Sequence, residues 1–402
     1  KQKTAYEISL GLVGSEMCIR DSIKIALVVE MNIIIVCNGW PCDILGGGEN
    51  HIINVSKYWS KKARVYLVAP FFAGRIIGDK KLNTILYPDI LYGYSEPPIL
   101  YLRYIYRILY SLRTMFKYNI KADYVISTTN HLYDIIPALI YSFIKRSKLV
   151  FYVHSLIDIR LRYGILDFIR SLVAYITQML GLFLGGLHSH RIFVINPLIK
   201  RLIRKKSYLT WNGVDPINRF EALEKVWDFC YIGRLDKTKG VETLLEAWKI
   251  ANIEGLKMKL VLVGGGGLYK LINALIRSGN IRRVCLVGPL YGRRKYRVLR
   301  QSRFLVNLSE SETFSTVILE ALALGVPVIA RKLPILKAIY GNMLIYVDDT
   351  SPEGLAKYLM EKIREYDSIA EKVSSCSSLL ARRYSWEKIA SYELKVIAGG
   401  EN

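Results

Sequence analysis

Residues 308–330 read LSESETFSTVILEALALGVPVIA, and this stretch decides the fold. Glu312 and Glu320 frame it, with Phe314, Ser315 and Thr316 between them. Val317, Leu319, Ala321, Leu322 and Leu324 supply the apolar positions of a helix. Ser315 or Thr313 can cap that helix by accepting from its first free N–H groups. Gly325 suits the left-handed residue that ends a helix, with Pro327 just beyond. Val328, Ile329 and Ala330 then resume as a strand. Glu312 therefore falls in a loop before a helix N-terminus, and Glu320 falls inside the helix. Such a terminus favours anions, because its unpaired N–H groups and its dipole act together. One carboxylate beside it can accept hydrogen bonds from sugar hydroxyls, and the other from a ribose. Two glutamates at this spacing also occur on solvated helices, so the flanking chain has to decide.

Upstream, residues 304–308 form the strand that delivers the motif. Residues 291–301, YGRRKYRVLRQ, read as a strongly basic helix with a solvated face, membrane contact being the alternative. Residues 284–287 form a strand followed by Gly288, Pro289 and Leu290. Residues 260–263 form another, running into the glycines 264–267. Residues 227–232 form a strand that enters GRLDKTKG, residues 233–240, ahead of a helix over 241–250. Arg234 and Lys239 thus precede a helix, where two cations would stabilise a phosphate and the larger charge of a departing one. Downstream come a strand at 345–347, amphipathic helices at 352–366 and 368–383, and YSWE at 384–387.

The first half repeats the alternation. NIIIVC, residues 32–37, is a buried parallel strand. A loop over 38–50 follows, then a helix over 51–61. The glycines 46–48 let the backbone approach a phosphate closely, a flexible turn being the plain alternative. Residues 65–69 form a strand and residues 71–98 form loops. A helix over 101–121 carries Arg103, Arg107, Arg113, Lys117 and Lys121 among tyrosines. It reads either as packed on the sheet with a solvated basic face or as lying on an anionic membrane. Residues 124–127 and 149–153 are strands, the second ending at His154, where ligands sit in such sheets. Residues 171–190 hold no Asp, Glu, Lys or Arg and reach the length of a membrane span. Gln178 and the small residues favour a packed or membrane-touching helix. A strand over 191–195 follows, and residues 196–215 cross between domains.

The 402 residues suffice for two cores, and 51% hydrophobic against 23% charged residues excludes wholesale disorder. The net charge of +23, from 57 Lys and Arg against 34 Asp and Glu, predicts an anionic partner. Cysteines 18, 37, 42, 230, 285 and 376 form no CxxC pair and no zinc spacing, which reads as reduced thiols in a cytoplasmic setting. Residues 1–30 read as a non-native extension ahead of Met31. SLGLVGSEMCIRDS looks like translated sequencing adapter, and Glu7, Glu16, Arg20 and Asp21 interrupt any signal-peptide core.

The pair Glu312 and Glu320 resembles the E-x7-E motif of retaining GT-B glycosyltransferases of family 4, glycosyl transferases group 1. Gly47, Gly48 and Glu49 resemble that family's N-terminal GG-x-E. Residues 211–220, WNGVDPINRF with Phe220, resemble its domain junction, and residues 233–240 resemble its G-R-L-x-x-x-K-G. Gly264 falls in its V-G-x-G. Where the family often has E-G-F-G, this chain has Glu312-Thr313-Phe314-Ser315. The resemblance implies an α/β GT-B fold of two doubly wound Rossmann-like parallel-sheet domains facing a cleft. These would be an acceptor-side domain over 31–195, a linker over 196–215, and a nucleotide-sugar domain over 216–384. A C-terminal helix over 385–402 would return to the first domain.

The same resemblance implies a hexosyltransferase that moves a sugar from a UDP- or GDP-sugar to an acceptor hydroxyl with retention. Glu312, His154, Arg234 and Lys239 would be catalytic. Gly47, Gly48, Gly233, Arg234, Lys239, Gly264, Leu290, Phe314, Ser315, Thr316, Val317 and Glu320 would hold the donor. No cofactor and no metal is implied, because the cations stand where a metal would. The expected acceptor is a saccharide, lipid-linked or anionic, of envelope polysaccharide, glycolipid or glycoprotein glycan synthesis. The expected place is the cytoplasm, peripheral on the inner face of the membrane. A GT-B epimerase or phosphorylase is the alternative. A nucleic-acid-binding protein is motivated by charge alone, since no recognition-helix pattern is present.

Overall fold

The computed structural model describes residues 31–39, 46–77, 82–93, 99–156, 165–203, 207–215, 223–253 and 257–400. The adapter-like extension, Cys42 and Phe220 lie outside these residues. The chain divides into two compact units. The N-terminal unit holds the described residues up to Asn212 together with those from Trp386 onward, and the C-terminal unit runs from Gly213 to Ser385.

The N-terminal unit is built on a seven-stranded sheet in the order β3-β2-β1-β4-β5-β6-β7, parallel throughout. Its strands are β1 (Asn32–Val36), β2 (Arg64–Pro70), β3 (Asn83–Tyr87), β4 (Tyr124–Ser127), β5 (Lys148–Val153), β6 (Ser189–Val194) and β7 (Ser207–Leu209). β1 sits centrally because Ile33, Ile34, Ile35 and Val36 are β-branched and buried on both faces. Helices α1 (Gly47–Trp59) and α2 (Ala73–Ile77) follow β1 and β2. Helices α3 (Ile99–Tyr118), α4 (Leu132–Lys145) and α5 (Ile165–His188) follow β3, β4 and β5. Strand order runs outward from β1 in both directions. Right-handed crossovers therefore place α3, α4 and α5 together on one face, and α4 touches both of its neighbours.

Four expectations change here. Residues 71–98 are not all loop: they hold α2 and β3, whose Ile85 and Tyr87 are buried. A five-residue edge strand is too short to announce itself by periodicity. Helix α1 starts at Gly47, so Gly47 and Gly48 occupy a helical first turn rather than a loop. Within 196–215, α6 (Pro197–Leu202) and β7 extend the N-terminal sheet. The basic face expected on α3 is partly interior. Arg103 and Arg107 are buried and both pair with Asp89, at 2.8 and 2.6 Å.

The last helix, α14 (Trp386–Ile397), packs on α1. Trp59 Nε1 donates to the Ala390 carbonyl at 2.9 Å. Glu393 is fully buried. It meets His51 Nε2 at 2.9 Å, Tyr152 Oη at 3.0 Å and Thr210 Oγ1 at 2.5 Å.

The C-terminal unit carries a six-stranded parallel sheet in the order β10-β9-β8-β11-β12-β13. Its strands are β8 (Trp227–Ile232), β9 (Leu260–Val263), β10 (Val284–Gly288), β11 (Ser302–Asn307), β12 (Val328–Arg331) and β13 (Ile345–Val347). Its helices are α7 (Val241–Ile253), α8 (Tyr269–Arg277), α9 (Gly292–Arg300), α10 (Thr316–Ala323), α11 (Pro334–Tyr340), α12 (Pro352–Arg364) and α13 (Tyr366–Arg383). Trp248, Phe229 and Phe304 anchor a continuous core between the sheet and α7 and α12. Both units are thus Rossmann-like parallel-sheet folds of the α/β class.

Candidate functional site

In a parallel sheet every strand ends at the same edge. In the C-terminal unit the direction of winding reverses between β8 and β11, the place where such sheets bind ligands. Gly233 and Arg234 follow β8, Gly264 follows β9, Leu290 follows β10, and Glu312 follows β11. Gly264 has φ +154°, and a Cβ built on it would overlap the Gly233 carbonyl oxygen. Glycine here is a packing requirement between two turns of the carboxyl edge. Gly240, at φ +68°, likewise lets its turn press on the Leu308 backbone.

Lys239 and Glu312 are brought together: Nζ lies 2.7 Å from Oε1, with both side chains mostly buried. Arg234 turns elsewhere. Its guanidinium is 64% exposed and pairs with Asp236 at 3.2 Å. Phe314 is buried edge-on against Tyr340, whose hydroxyl donates toward the Phe314 and Ser315 carbonyls.

Ser315 does not cap α10 through its side chain. It adopts the left-handed conformation, at φ 61°, and its Oγ lies 3.1 Å from Asn307 Nδ2. The glycine-favoured backbone is therefore kept without glycine, at a cost of about 1–2 kcal/mol. Thr316 and Val317 open α10 and leave their amides at its free N-terminal turn.

Glu320 points inward from α10 and is 4% exposed. Lys295 Nζ reaches its Oε1 at 2.6 Å. Tyr296 Oη lies 3.4 Å from the same oxygen and 3.0 Å from Asp215 Oδ2. Burial raises the Glu320 carboxyl and the Lys295 ammonium opposes that rise. Its Oε2 is buried and has no partner among the described residues. Helix α9 is therefore not only the solvated basic face expected of it. Lys295, Tyr296 and Asp215 are site residues that sequence reading missed. Alternation of basic and apolar residues marks a surface helix and gives no sign that one lysine turns toward a distant glutamate.

In the N-terminal unit the winding reverses between β1 and β4. His154 follows β5, and its ring packs on Gly48: a Cβ there would lie 3.2 Å from His154 Cδ2. What Gly48 admits is an imidazole. Burial, with His51 beside it, pushes His154 down to about 3, so the neutral ring is the resident form. Its Nε2 is buried without a partner among the described residues. Gly47 is exposed at the start of α1. Asp134 accepts from the Asn38 amide at 2.6 Å and from Thr129 Oγ1 at 2.7 Å, and burial pushes it up to about 7. At the carboxyl ends of β2 and β3 lies a cavity of about 490 Å³ lined by Phe71, Phe72, Ile90 and Tyr92, with Asp89.

With this geometry in place, residues 216–375 match the family model Glycosyl transferases group 1. Over that span the chain is similar to that family. An uncharacterized glycosyltransferase of Methanocaldococcus jannaschii is 26% identical over 212 residues, covering 50% of this chain and 57% of the relative. The O-antigen chain mannosyltransferase B of Escherichia coli is 26% identical over 163 residues, 39% of this chain and 42% of the relative. The matches thus span about half the length of these curated relatives. Among solved structures, Anabaena HepE in complex with UDP and glucose aligns with a TM-score of 0.69 at 16% identity, over 92% of this chain and 100% of that one. That likeness establishes the two-unit fold.

Proposed function

We infer that the protein is a retaining glycosyltransferase of family 4, moving a sugar from a nucleotide diphosphate sugar to an acceptor hydroxyl. One observation carries this reading. At the carboxyl edge of the C-terminal unit, the Lys239–Glu312 pair precedes α10 and the inward-facing Glu320 lies within it. Each part has chemical work in such a reaction. Lys239, Arg234 and the amides at the start of α10 would hold the diphosphate and stabilise the charge that grows as it departs. Glu320 Oε2 would accept from the ribose hydroxyls, with Lys295 holding the other carboxyl oxygen. Glu312, tethered by Lys239, would orient hydroxyls of the donor sugar. The departing phosphate itself would take the acceptor proton on the same face. The carboxylates then need not be nucleophiles, and the cations replace a metal.

The acceptor is read from two features. The mannosyltransferase relative is named for O-antigen chains, and the apolar cavity by Phe72 and Tyr92 suits a substrate with an apolar portion. We propose a lipid-linked or anionic saccharide of the cell envelope, elongated at the cytoplasmic side.

A transfer assay with UDP- and GDP-sugars tests the donor site. Lys239→Ala should lower kcat about 10²- to 10³-fold, as loss of one preorganised charge does. Glu320→Ala should raise the donor KM at least about tenfold with a smaller effect on kcat, as loss of a ground-state contact does. Wild-type rates in either variant reject the assignment. Conversion of the donor to free nucleotide and an altered sugar without any acceptor would favour the epimerase.

A further inference from the structure

The outer face of the N-terminal unit's helical layer is built the wrong way round for water. On α3, the residues that point outward are Leu102, Ile105 and Leu109, each between 55% and 60% exposed. Arg103 and Arg107 point inward, onto Asp89. On α4, Phe143 is 81% and Ile144 56% exposed. On α5, Ile165, Ile169, Ile176, Leu180, Phe183 and Leu187 form a single exposed stripe at helical spacing.

The inner side of α5 explains how it is held. Ser171 and Gln178 are buried, and Gly181 and Gly185 face the sheet. A Cβ at Gly181 would overlap the Asn130 carbonyl oxygen, and one at Gly185 would lie 2.9 Å from Phe151. Small and polar residues, with Leu182 and Leu184, thus bind this helix to the domain, and the large apolar residues of the stripe face out. A helix so held against its domain is not placed to thread a bilayer, although the 21 residues Phe168–His188 have the length and mean hydropathy to do so. It can lie in the plane of one.

Charge names the occupant. Helices α3, α4 and α5 all run back toward the amino-terminal edge of the sheet. Exposed Arg113, Lys117, Lys121, Arg146 and Lys148 gather at that end of the layer. Helix α3 contains no Asp or Glu, and Asp134 of α4 is buried. Asp123 is the acid at this edge among the described residues, and its carboxylate accepts from the Asn32 amide. A broad apolar surface rimmed by cations fits an anionic lipid surface, with the apolar stripes entering the headgroup–acyl boundary by about 5–10 Å.

We propose that the outer face of α3, α4 and α5 is a membrane-docking surface selective for anionic phospholipid. This stands apart from the donor chemistry, which it neither requires nor explains. The test is flotation of the full chain with phosphatidylcholine vesicles, with and without phosphatidylglycerol. The wild type should float with the anionic vesicles and should be released as salt is raised. The triple variant I105E/F143E/F183E should bind at least about tenfold more weakly, because each charge opposes insertion. R113E/K117E should lose binding to anionic vesicles while ignoring the neutral ones. Far-ultraviolet circular dichroism checks that both variants fold, and Phe143→Glu alone, at the most exposed position, serves if the triple variant does not. Absent flotation of the wild type, or equal flotation of the folded variants, overturns the proposal. So does a wild-type dimer that the triple variant converts to monomer without any vesicle binding, since the face would then be a protein interface.

Discussion

At the scale of single residues, the N-terminal unit buries titratable groups with opposite consequences. His154, held at about 3, stays neutral in the fold while the unfolded chain takes up a proton below about 6.5. Stability from this group is therefore complete above that value and falls as pH drops toward 3. His131, at about 4, acts in the same direction. Asp134 does the reverse. Pushed up to about 7, it keeps a proton that the unfolded chain releases from about 3.8 upward, so its contribution falls as pH rises through that window. Between about pH 4.5 and 6.5 these effects oppose each other, and each is limited to about 1.4 kcal/mol per pH unit. Two histidines act against one carboxyl, so urea unfolding across this range should show the wild type losing up to about 1.4 kcal/mol per pH unit on acidification. Asp134→Asn should steepen that loss, and adding His154→Gln to that variant should bring it back toward the wild-type slope. A pH slope unchanged by Asp134→Asn would mean that its carboxyl is ordinary. Sequence alone placed His154 at a strand's carboxyl end, but set no titration for it. That depends on Gly48 and His51 closing over the ring.

At the scale of elements, the helix α14 shows how a terminal segment becomes part of a distant sheet. Its Glu393 is shared by α1, β5 and the chain after β7, through His51, Tyr152 and Thr210. Removing Glu393 takes a buried partner from all three at once, although His51 keeps its contact with Asn212. Glu393→Ala should therefore destabilise the N-terminal unit by about 3–5 kcal/mol, measured by chemical denaturation. Glu393→Gln, which retains hydrogen-bonding capacity, should cost less. Equal stability of wild type and Glu393→Ala would place the anchoring in Trp59 and the apolar contacts instead. Most elements were legible: β4, β8, β9 and β13 fall on the residues their composition predicts. The misreadings lay where a local signal was ambiguous. Asn83–Tyr87 is too short for its period to register. The cations of α3 looked solvated because a lysine- or arginine-rich helix usually is, and the buried Asp89 that reverses this lies outside the helix, 18 residues before Arg107.

At the scale of the molecule, the charge of +23 gives a general attraction for anions, and the donor site proposed at the carboxyl edge of the C-terminal unit would give a specific one. The two separate by saturation. A bound nucleotide stabilises the fold by about 2.7 kcal/mol at a hundredfold excess over its dissociation constant. A thermal scan should thus show UDP- or GDP-sugars raising the midpoint in a saturable way that Glu320→Ala weakens. Inorganic pyrophosphate at equal charge should do less. Equal shifts from all polyanions would reduce the site to bulk electrostatics. Sulfate controls at matched ionic strength keep screening constant.

The sequence by itself determined the alternation of strand and helix in both halves, the glycine turns, and the order of the motifs around Glu312 and Glu320. These are written in local pattern: buried parallel strands are continuous apolar runs, and turns need particular residues. Only the tertiary structure decided which charges meet. That Lys295 rather than Arg234 reaches a motif glutamate, that Ser315 holds a glycine's conformation, and that α3 turns its leucines outward all depend on side-chain contacts between different elements. Such contacts leave no periodic trace, because each is fixed by the burial of both partners at once.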